Sequence, residues 1–429
     1  MKKLAKFFIF PFFILTSCGG NETTDASTSS EDFIRPDEYY ADYSGELDYM
    51  EIDYAKRSDS TCGVEFYWSK AKVITPDHYL VLSSTDDYYK RLSGLSAPGG
   101  GSVDYISLNG IYFDDGAFED TLRLGMMDYD YKQVFIYHSR PGRIEVEEYG
   151  NLLKSTFERI KKYASEAEIY FLTANKIDKG IIDELAISNV SALECDAADV
   201  KSLIETKMNN CTNEVTSKTR ETDAYASNKR ETIEWSRITF ANASTLGNKN
   251  KRILHIGASV MQATYPFIVD DMANFNVDMY CSSRGSNDVA TLRELDYIFR
   301  QYQYDGIHFN SGSHIKGQTS KECYESVTSL INFFKLAEPT STMVFSNSTP
   351  RGTTSDLTKF SDAESEEIIR MSDELMRICG ENDYPFDDLY NFAKDNNFVR
   401  IDAIHYRSGG TEYQKLGKEL AKFFRAYIK

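Results

Sequence analysis

The stretch RILHIGASVMQATYP (residues 252–266) begins as an apolar run and ends in a turn of small residues that presents Ser259. The run RILHIG has the apolar and β-branched content of a buried strand. Gly257 and Ala258 leave room for a tight turn after it. Because catalytic groups of open α/β sheets gather at the carboxyl ends of the strands, Ser259 is a candidate nucleophile. An ordinary turn that closes a buried strand has the same composition, so the stretch alone leaves both interpretations open.

Strands and helices alternate along the rest of the C-terminal part, residues 251–429. Further buried strands are predicted at NVDMYCS (276–282), DGIHFN (305–310) and STMVFSNS (341–348). Amphipathic helices are predicted at 289–302, 324–337, 361–379 and 411–428. This βα order predicts an α/β fold in which a parallel sheet is covered by helices.

The same alternation predicts a second α/β domain over residues 61–208. Its short buried strands are HYLVLSS (78–84), QVFIYHS (133–139) and AEIYFLTA (167–174), with an amphipathic helix between the last two. Residues 209–250 are mostly polar and are predicted to connect the domains, with one strand or helical turn around IEWSRITF.

The N-terminal segment has the pattern of an export signal. Residues 1–18 hold three lysines and then an apolar run that is too short to span a bilayer, which is typical of a secretory signal peptide. The ending Leu-Thr-Ser-Cys resembles a bacterial lipobox and predicts lipidation of Cys18; a plain signal peptide with a stray cysteine is the alternative. Residues 19–60 begin as a small, polar and acidic stretch, which predicts a flexible tether.

The charge balance and the cysteine spacing argue against two classes of function, nucleic-acid binding and metal binding by cysteines. The 429 residues carry 48 Lys and Arg against 66 Asp and Glu, a net charge of −18. This acidic balance, without a basic tract, argues against nucleic-acid binding. No pair of cysteines has metal-ligand spacing, so no metal site is predicted. Cys195 and Cys211 are close enough in sequence for a short disulfide loop, but lone thiols fit equally well and no bridge is assigned.

Three further positions in the C-terminal part are candidate site residues. Gly285 follows the second predicted strand, where a glycine lets its backbone N–H approach a ligand closely. Asn310 ends the third strand and offers an amide N–H to a developing oxyanion. Asp402 stands three residues before His405, which lets the carboxylate hold one imidazole nitrogen while the other faces a nucleophile. Taken singly, the glycine and the asparagine are also ordinary turn residues.

Together these positions resemble the SGNH (GDSL-type) hydrolases, whose signature is Ser, Gly, Asn and His in four blocks, with Asp three residues before the His. The intervals are 51 residues from Ser259 to Asn310 and 95 from Asn310 to His405. IHFNSGSH resembles the third block of an exported branch of that family. The resemblance covers residues 251–429 and implies a flavodoxin-like fold with helices on both faces of a parallel sheet.

The resemblance also implies roles for these residues. Ser259 would attack an ester carbonyl, His405 would take its proton, and Asp402 would orient His405. The backbone N–H groups of Ser259 and Gly285 and the amide of Asn310 would stabilise the oxyanion. Such chemistry needs neither a metal nor an organic cofactor.

The sequence departs from the family pattern in three places. Ala258 replaces the Asp of the usual Gly-Asp-Ser, which is expected to weaken the geometry of the turn more than the chemistry. In the second block, the sequence leaves open whether Gly285 or a neighbouring N–H fills the oxyanion position. In the third block a Gly is missing before the Asn, and His314 follows; His314 either reaches the substrate or lies in a surface turn.

Two interpretations of residues 61–208 stay open. An alignment of the strands places Thr85 opposite Ser259, and the interval of 37 residues from His138 to Asn175 recurs after Asn310. The domain is therefore either a degenerate copy of the same fold, without catalysis, or an unrelated α/β accessory domain that binds glycan or packs on its neighbour.

The expected function is that of an exported, lipid-anchored serine ester hydrolase at the outer membrane or cell surface. The resemblance implies an O-acylated carbohydrate, in particular an acetylated one, as the substrate, because exported members of the family commonly act on such esters. The alternatives are a polysaccharide O-acetyltransferase and a non-catalytic surface lipoprotein that binds glycan.

Overall fold

The computed structural model describes residues 61–69, 77–113, 115, 117–126, 129–138, 144–215, 233–241, 251–285, 288–310 and 318–429. The predicted signal peptide, Cys18, the predicted tether (19–60) and His314 lie outside these residues. None of the helices in the described part is both long and apolar enough to cross a membrane.

Twelve strands of the described chain form one sheet. In chain order they are β1 (Thr61–Ser69), β2 (His78–Ser84), β3 (Ser102–Asn109), β4 (Gln133–Tyr137), β5 (Glu168–Thr173), β6 (Val190–Glu194), β7 (Ile233–Ala241), β8 (Lys251–Gly257), β9 (Phe275–Ser282), β10 (Gly306–Asn310), β11 (Thr342–Ser346) and β12 (Phe386–Asp387). Across the sheet their order is β12-β11-β10-β8-β9-β7-β1-β3-β2-β4-β5-β6.

The longer helices of the described chain are α1 (Ala117–Met126), α2 (Val146–Tyr163), α3 (Lys176–Leu185), α4 (Val200–Asn209), α5 (Ser259–Asp271), α6 (Val289–Gln301), α7 (Ser320–Ala337), α8 (Glu366–Asn382), α9 (Leu389–Asp395) and α10 (Thr411–Tyr427). Short helical turns follow β2 at Thr85–Asp87 and Tyr88–Leu92, and another lies at Pro98–Gly100. The predicted α/β fold class is confirmed, and the two predicted α/β regions share one continuous sheet.

The two halves of the sheet have the same topology. In the C-terminal half, β9, β8, β10, β11 and β12 are parallel, and β7 pairs antiparallel with β9. In the N-terminal half, β3, β2, β4, β5 and β6 are parallel, and β1 pairs antiparallel with β3. Thr85 begins the helical turn after β2, as Ser259 begins α5 after β8. This matched strand order is what a duplicated unit would have.

The two halves join through β1 and β7, which pair antiparallel over nine residues from Thr61↔Ala241 to Ser69↔Ile233. The predicted connection (209–250) therefore contains a strand of the sheet, in the region where one strand or helical turn was expected. Within this strand, polar side chains have partners on neighbouring elements. Ser236 donates a hydrogen bond to Glu294, for example, and Arg237 forms an ion pair with Glu65.

Helices cover both faces of the sheet, as the resemblance implies. On one face a single hydrophobic cluster extends across both halves and includes residues of α1, α2, α6, α7 and α8. On the other face, α5, α9 and α10 cover the C-terminal half and α4 covers the N-terminal half. Burial on both faces explains why β8 reads as a nearly continuous apolar run.

Gly63 provides a test of the junction between β1 and β7. A Cβ at this position would lie 2.0 Å from the Ile238 carbonyl oxygen and 3.0 Å from Thr239 Cα. Because these are backbone atoms of a paired strand, Gly63→Ala is expected to lower the free energy of unfolding by roughly 1–3 kcal/mol in urea unfolding followed by circular dichroism. Gly180→Ala is the control, since a Cβ there meets nothing within 4 Å and favours the helix by up to about 1 kcal/mol. Equal stability of Gly63→Ala and wild type would contradict the close approach of β7 to Gly63.

Candidate active site

The ends of four parallel strands are level at one edge of the C-terminal half-sheet. On one side of β8, Gly257 pairs with Cys281 of β9. On its other side, Ile256 pairs with Phe309 of β10. Asn310 in turn pairs with Ser346 of β11. The first and third predicted blocks therefore meet at this edge, and Gly285 follows β9 a few residues beyond it.

Ser259 is the first residue of α5, so its position is fixed by the turn between β8 and the helix. A Cβ at Gly257 would lie 2.5 Å from Met261 Cβ, which explains why this position is glycine. Ala258 has extended backbone angles, is buried, and provides no side-chain cap to the helix. An Asp at this position would offer such a group, and replacing a capping residue by Ala costs about 1 kcal/mol.

Ser259, His405 and Asp402 form one continuous chain of hydrogen bonds. Ser259 Oγ lies 2.8 Å from His405 Nε2, and His405 Nδ1 lies 2.8 Å from Asp402 Oδ2. With the proton on Nδ1, His405 donates to the carboxylate and its Nε2 accepts from the serine hydroxyl. This is the arrangement in which an imidazole acts as general base towards a hydroxyl nucleophile.

Asp402 is held in a small hairpin that also fixes His405. Its Oδ1 accepts hydrogen bonds from the backbone N–H groups of Ile404 and His405, both at 2.7 Å. Partial burial raises the pKa of Asp402, but these donors and the imidazole outweigh it and lower the pKa overall. The carboxylate is therefore ionised at neutral pH, as an orienting partner of His405 requires.

Arg400 anchors this hairpin to the neighbouring loop. It forms a β-bridge with Tyr406, and its buried guanidinium donates to the carbonyl oxygens of Ala403 and Lys359. Gly352 leaves space for this group, because a Cβ there would lie 1.8 Å from Arg400 Nη1. Arg400 was not singled out from the sequence, although its place two residues before Asp402 marks it as a neighbour of the site.

Asn310 lies at the predicted edge, but its amide already has partners. Its Nδ2 donates to Asn347 O at 2.7 Å and to Ser346 Oγ at 2.9 Å. To donate to an oxyanion, Asn310 must release one of these bonds. Gly285 is partly exposed, and its carbonyl oxygen accepts from Thr291 Oγ1 at 3.0 Å.

Two buried histidines lie behind Asn310 and were not singled out from the sequence. His255 of β8 and His308 of β10 are paired in the sheet, and their Nδ1 atoms lie 2.8 Å apart. His308 Nε2 lies 2.8 Å from Ser346 Oγ, the atom that also accepts from Asn310. Burial lowers the pKa of His255 to about 4 and that of His308 well below its usual value, so both rings are neutral.

The fold and site thus define a doubly wound α/β unit that carries a Ser-His-Asp constellation at the carboxyl edge of its sheet. Solved structures similar to the chain include the inhibitor-bound aryl esterase of M. smegmatis, with 13% identity and a TM-score of 0.34 over 42% of this chain and 100% of that one. A carbohydrate acetylesterase family member from Sinorhizobium meliloti has 15% identity and a TM-score of 0.33 over 41% and 98%. A GDSL-like lipase from Bacteroides thetaiotaomicron has 14% identity and a TM-score of 0.32 over 42% and 91%.

No family model and no curated protein matches the chain.

The histidine pair makes a pH-dependent contribution to stability. Both pKa values are lowered by folding, so the unfolded chain binds more protons below about pH 6.5, the ordinary histidine pKa, and stability falls as the pH drops towards 4. For His255 this amounts to on the order of 3 kcal/mol across that window. Urea unfolding at several pH values is expected to show a shallower loss for His255→Gln than for wild type.

Leu420→Ala is the control for this experiment, because it removes buried apolar contacts in α10 without removing a titrating group. It is expected to lower stability by a similar amount at every pH and to keep the wild-type slope. An unchanged slope in His255→Gln would contradict a neutral buried pair.

Proposed function

We propose that the protein is a serine ester hydrolase that uses Ser259, His405 and Asp402 as its catalytic residues. The observation that carries the proposal is the unbroken chain of hydrogen bonds from the serine hydroxyl through the imidazole to the carboxylate, at 2.8 Å for each link. This chain requires residues 146 positions apart to meet at the end of β8, which an ordinary strand-closing turn does not explain.

In the proposed reaction, Ser259 Oγ attacks the ester carbonyl while His405 Nε2 takes its proton. The imidazolium is stabilised by Asp402, and it then protonates the departing alcohol. Water, deprotonated by His405, then attacks the acyl-serine. The bond between Ser259 Oγ and the acyl carbon breaks, the imidazolium returns its proton to Ser259 Oγ, and the acid is released.

The oxyanion of each tetrahedral intermediate would receive hydrogen bonds from the backbone N–H groups of Ser259 and Gly285. The Asn310 amide joins them by exchanging one of its present acceptors. Such a donor is worth about 3 kcal/mol when it is placed at the developing charge. The hydrogen bond from Asn310 to Asn347 or Ser346 that is broken in this exchange reduces the net stabilisation of the oxyanion.

The proposed substrate is an acetylated carbohydrate. The side chains of His405 and Asp402 are 36% and 48% exposed, so the triad lies at the surface. A surface triad supports action on an ester that projects from a large molecule, such as an O-acetyl group on a glycan. The acyl group itself is proposed from the family resemblance.

The catalytic proposal is tested with the chain lacking residues 1–18 on a panel of acetyl esters and acetylated glycans. Ser259→Ala is expected to lower kcat by at least about 10⁴-fold. Asp402→Asn is expected to cost roughly 10²- to 10⁴-fold, towards the lower end because water reaches this half-exposed carboxylate. Ser202→Ala, an exposed serine of α4, is the control and is expected to leave kcat unchanged.

Three outcomes would contradict the proposal. Equal inactivity of wild type and Ser259→Ala on the whole panel removes the catalytic role. An excess of acetylated acceptor glycan over free acetate identifies an acetyltransferase instead. Glycan binding that survives both Ser259→Ala and His405→Ala, without turnover, identifies a binding protein.

We also propose that the protein is exported and attached to a membrane through a lipid on Cys18. The sequence of residues 1–18 supports this location. When it is expressed in a bacterium, the full chain is expected to incorporate labelled palmitate and to sediment with membranes, whereas Cys18→Ser does neither. Cys211→Ser is the matched control and should behave as wild type. A wild-type chain that is unlabelled and soluble would contradict the proposed anchor.

A further inference from the structure

The N-terminal half of the chain contacts the predicted oxyanion segment directly. We define the Gly285 segment as Ser283–Gly285, the residues that follow β9. The guanidinium of Arg284 lies over the indole ring of Trp68, with its carbon 4.0 Å from the ring centroid. Trp68 belongs to β1, and it is 2% exposed while Arg284 is 8% exposed. A residue of one half therefore covers the segment that follows a strand of the other.

Arg284 is also held by two buried carboxylates. Its Nη1 donates to Glu294 Oε1 at 2.6 Å, and its Nε donates to Glu234 Oε2 at 3.3 Å. Glu294 in turn accepts from Ser236 and Tyr280. The carboxylates thus hold nitrogens of the guanidinium, while the indole ring of Trp68 packs against its face.

The backbone of the Gly285 segment is fixed by the strand next to it. Ser283 N–H donates to Trp235 O at 3.0 Å, and Trp235 N–H donates to Ser283 Oγ at 2.9 Å. Arg284 N–H donates to Ser282 Oγ at 3.0 Å. Trp235 belongs to β7, so the segment is held by β7 through its backbone and by β1 through the ring of Trp68.

We infer that Trp68 is a positioning residue for the oxyanion site, acting through Arg284 on Gly285. The inference rests on the proposed function. Oxyanion donors act only when they are held within about 0.5 Å of the productive geometry. Gly285 has no side chain that could make contacts of its own, so the position of its backbone N–H depends on the neighbouring residues. The N-terminal half thus contributes to catalysis, although it has Thr85 at the position that corresponds to the proposed nucleophile Ser259.

The inference is tested by measuring kcat and KM of Trp68→Leu on an acetyl ester. The variant loses the aromatic face above Arg284, so kcat is expected to fall about 10- to 100-fold while KM changes less than about twofold. Trp68→Phe keeps an aromatic face for the guanidinium and is expected to recover most of the lost activity. Phe135→Leu, a buried aromatic residue of β4 in the same half, controls for a general loss of stability.

Phenylboronic acid supplies a second measurement that reports the oxyanion site. Its boron forms a bond to Ser259 Oγ, the serine proton passes to His405, and the boron becomes a tetrahedral anion. Affinity for this probe is expected to fall in Trp68→Leu by about the same factor as kcat, and to be kept in Phe135→Leu. Equal losses in Trp68→Leu and Phe135→Leu, or an unchanged kcat in Trp68→Leu, would overturn the inference.

Hydrogen exchange separates this inference from the proposed function. The amides of residues 281–285 are expected to exchange faster in Trp68→Leu than in wild type or Phe135→Leu, whether or not the protein hydrolyses esters. Inactivity of wild type on every ester would contradict the proposed function. Unchanged exchange in Trp68→Leu would overturn the positioning role on its own.

Discussion

The site depends on the parallel pairing of β8 with β9 on one side and with β10 on the other. Parallel strands that are in register end at one level, and the side chains that follow them project from a common edge. In this sheet the pairings bring Gly257 level with Cys281, and Phe309 level with Ile256. A shift of one residue in the pairing of β10 with β8 would turn Asn310 to the other face of the sheet and move it away from Ser259. The sheet therefore forms the core of the protein and also sets the positions of the site residues.

The sequence predicted the parts of this arrangement that repeat a simple pattern. The buried parallel strands were found because RILHIG, DGIHFN and STMVFSNS are short apolar runs with helices between them. The pairing of Asp402 with His405 was found because their spacing is local. Those features depend on neighbouring residues, and they need no knowledge of how distant parts of the chain meet.

Other features depend on long-range partners and were not predicted. The place of β7 at the centre of the sheet was hidden by its polar residues, which are satisfied by partners such as Glu65 and Glu294 from elsewhere in the chain. The present acceptors of Asn310 depend on how β10 and β11 pair. His255 and His308 did leave a trace in the sequence, since each stands two residues before the end of its strand. The sequence does not show that the two rings share a hydrogen bond.

The antiparallel pairing of β1 with β7 has a consequence for any attempt to isolate the C-terminal half. Without β1, the nine residues of β7 would become the edge of the sheet, with a row of unsatisfied backbone groups. The natural edges are short by comparison, since β12 has two residues and β6 has five. A fragment that begins at β7 would expose a long template for pairing with other chains. Aggregation is therefore expected of the half that carries the serine when it is produced alone.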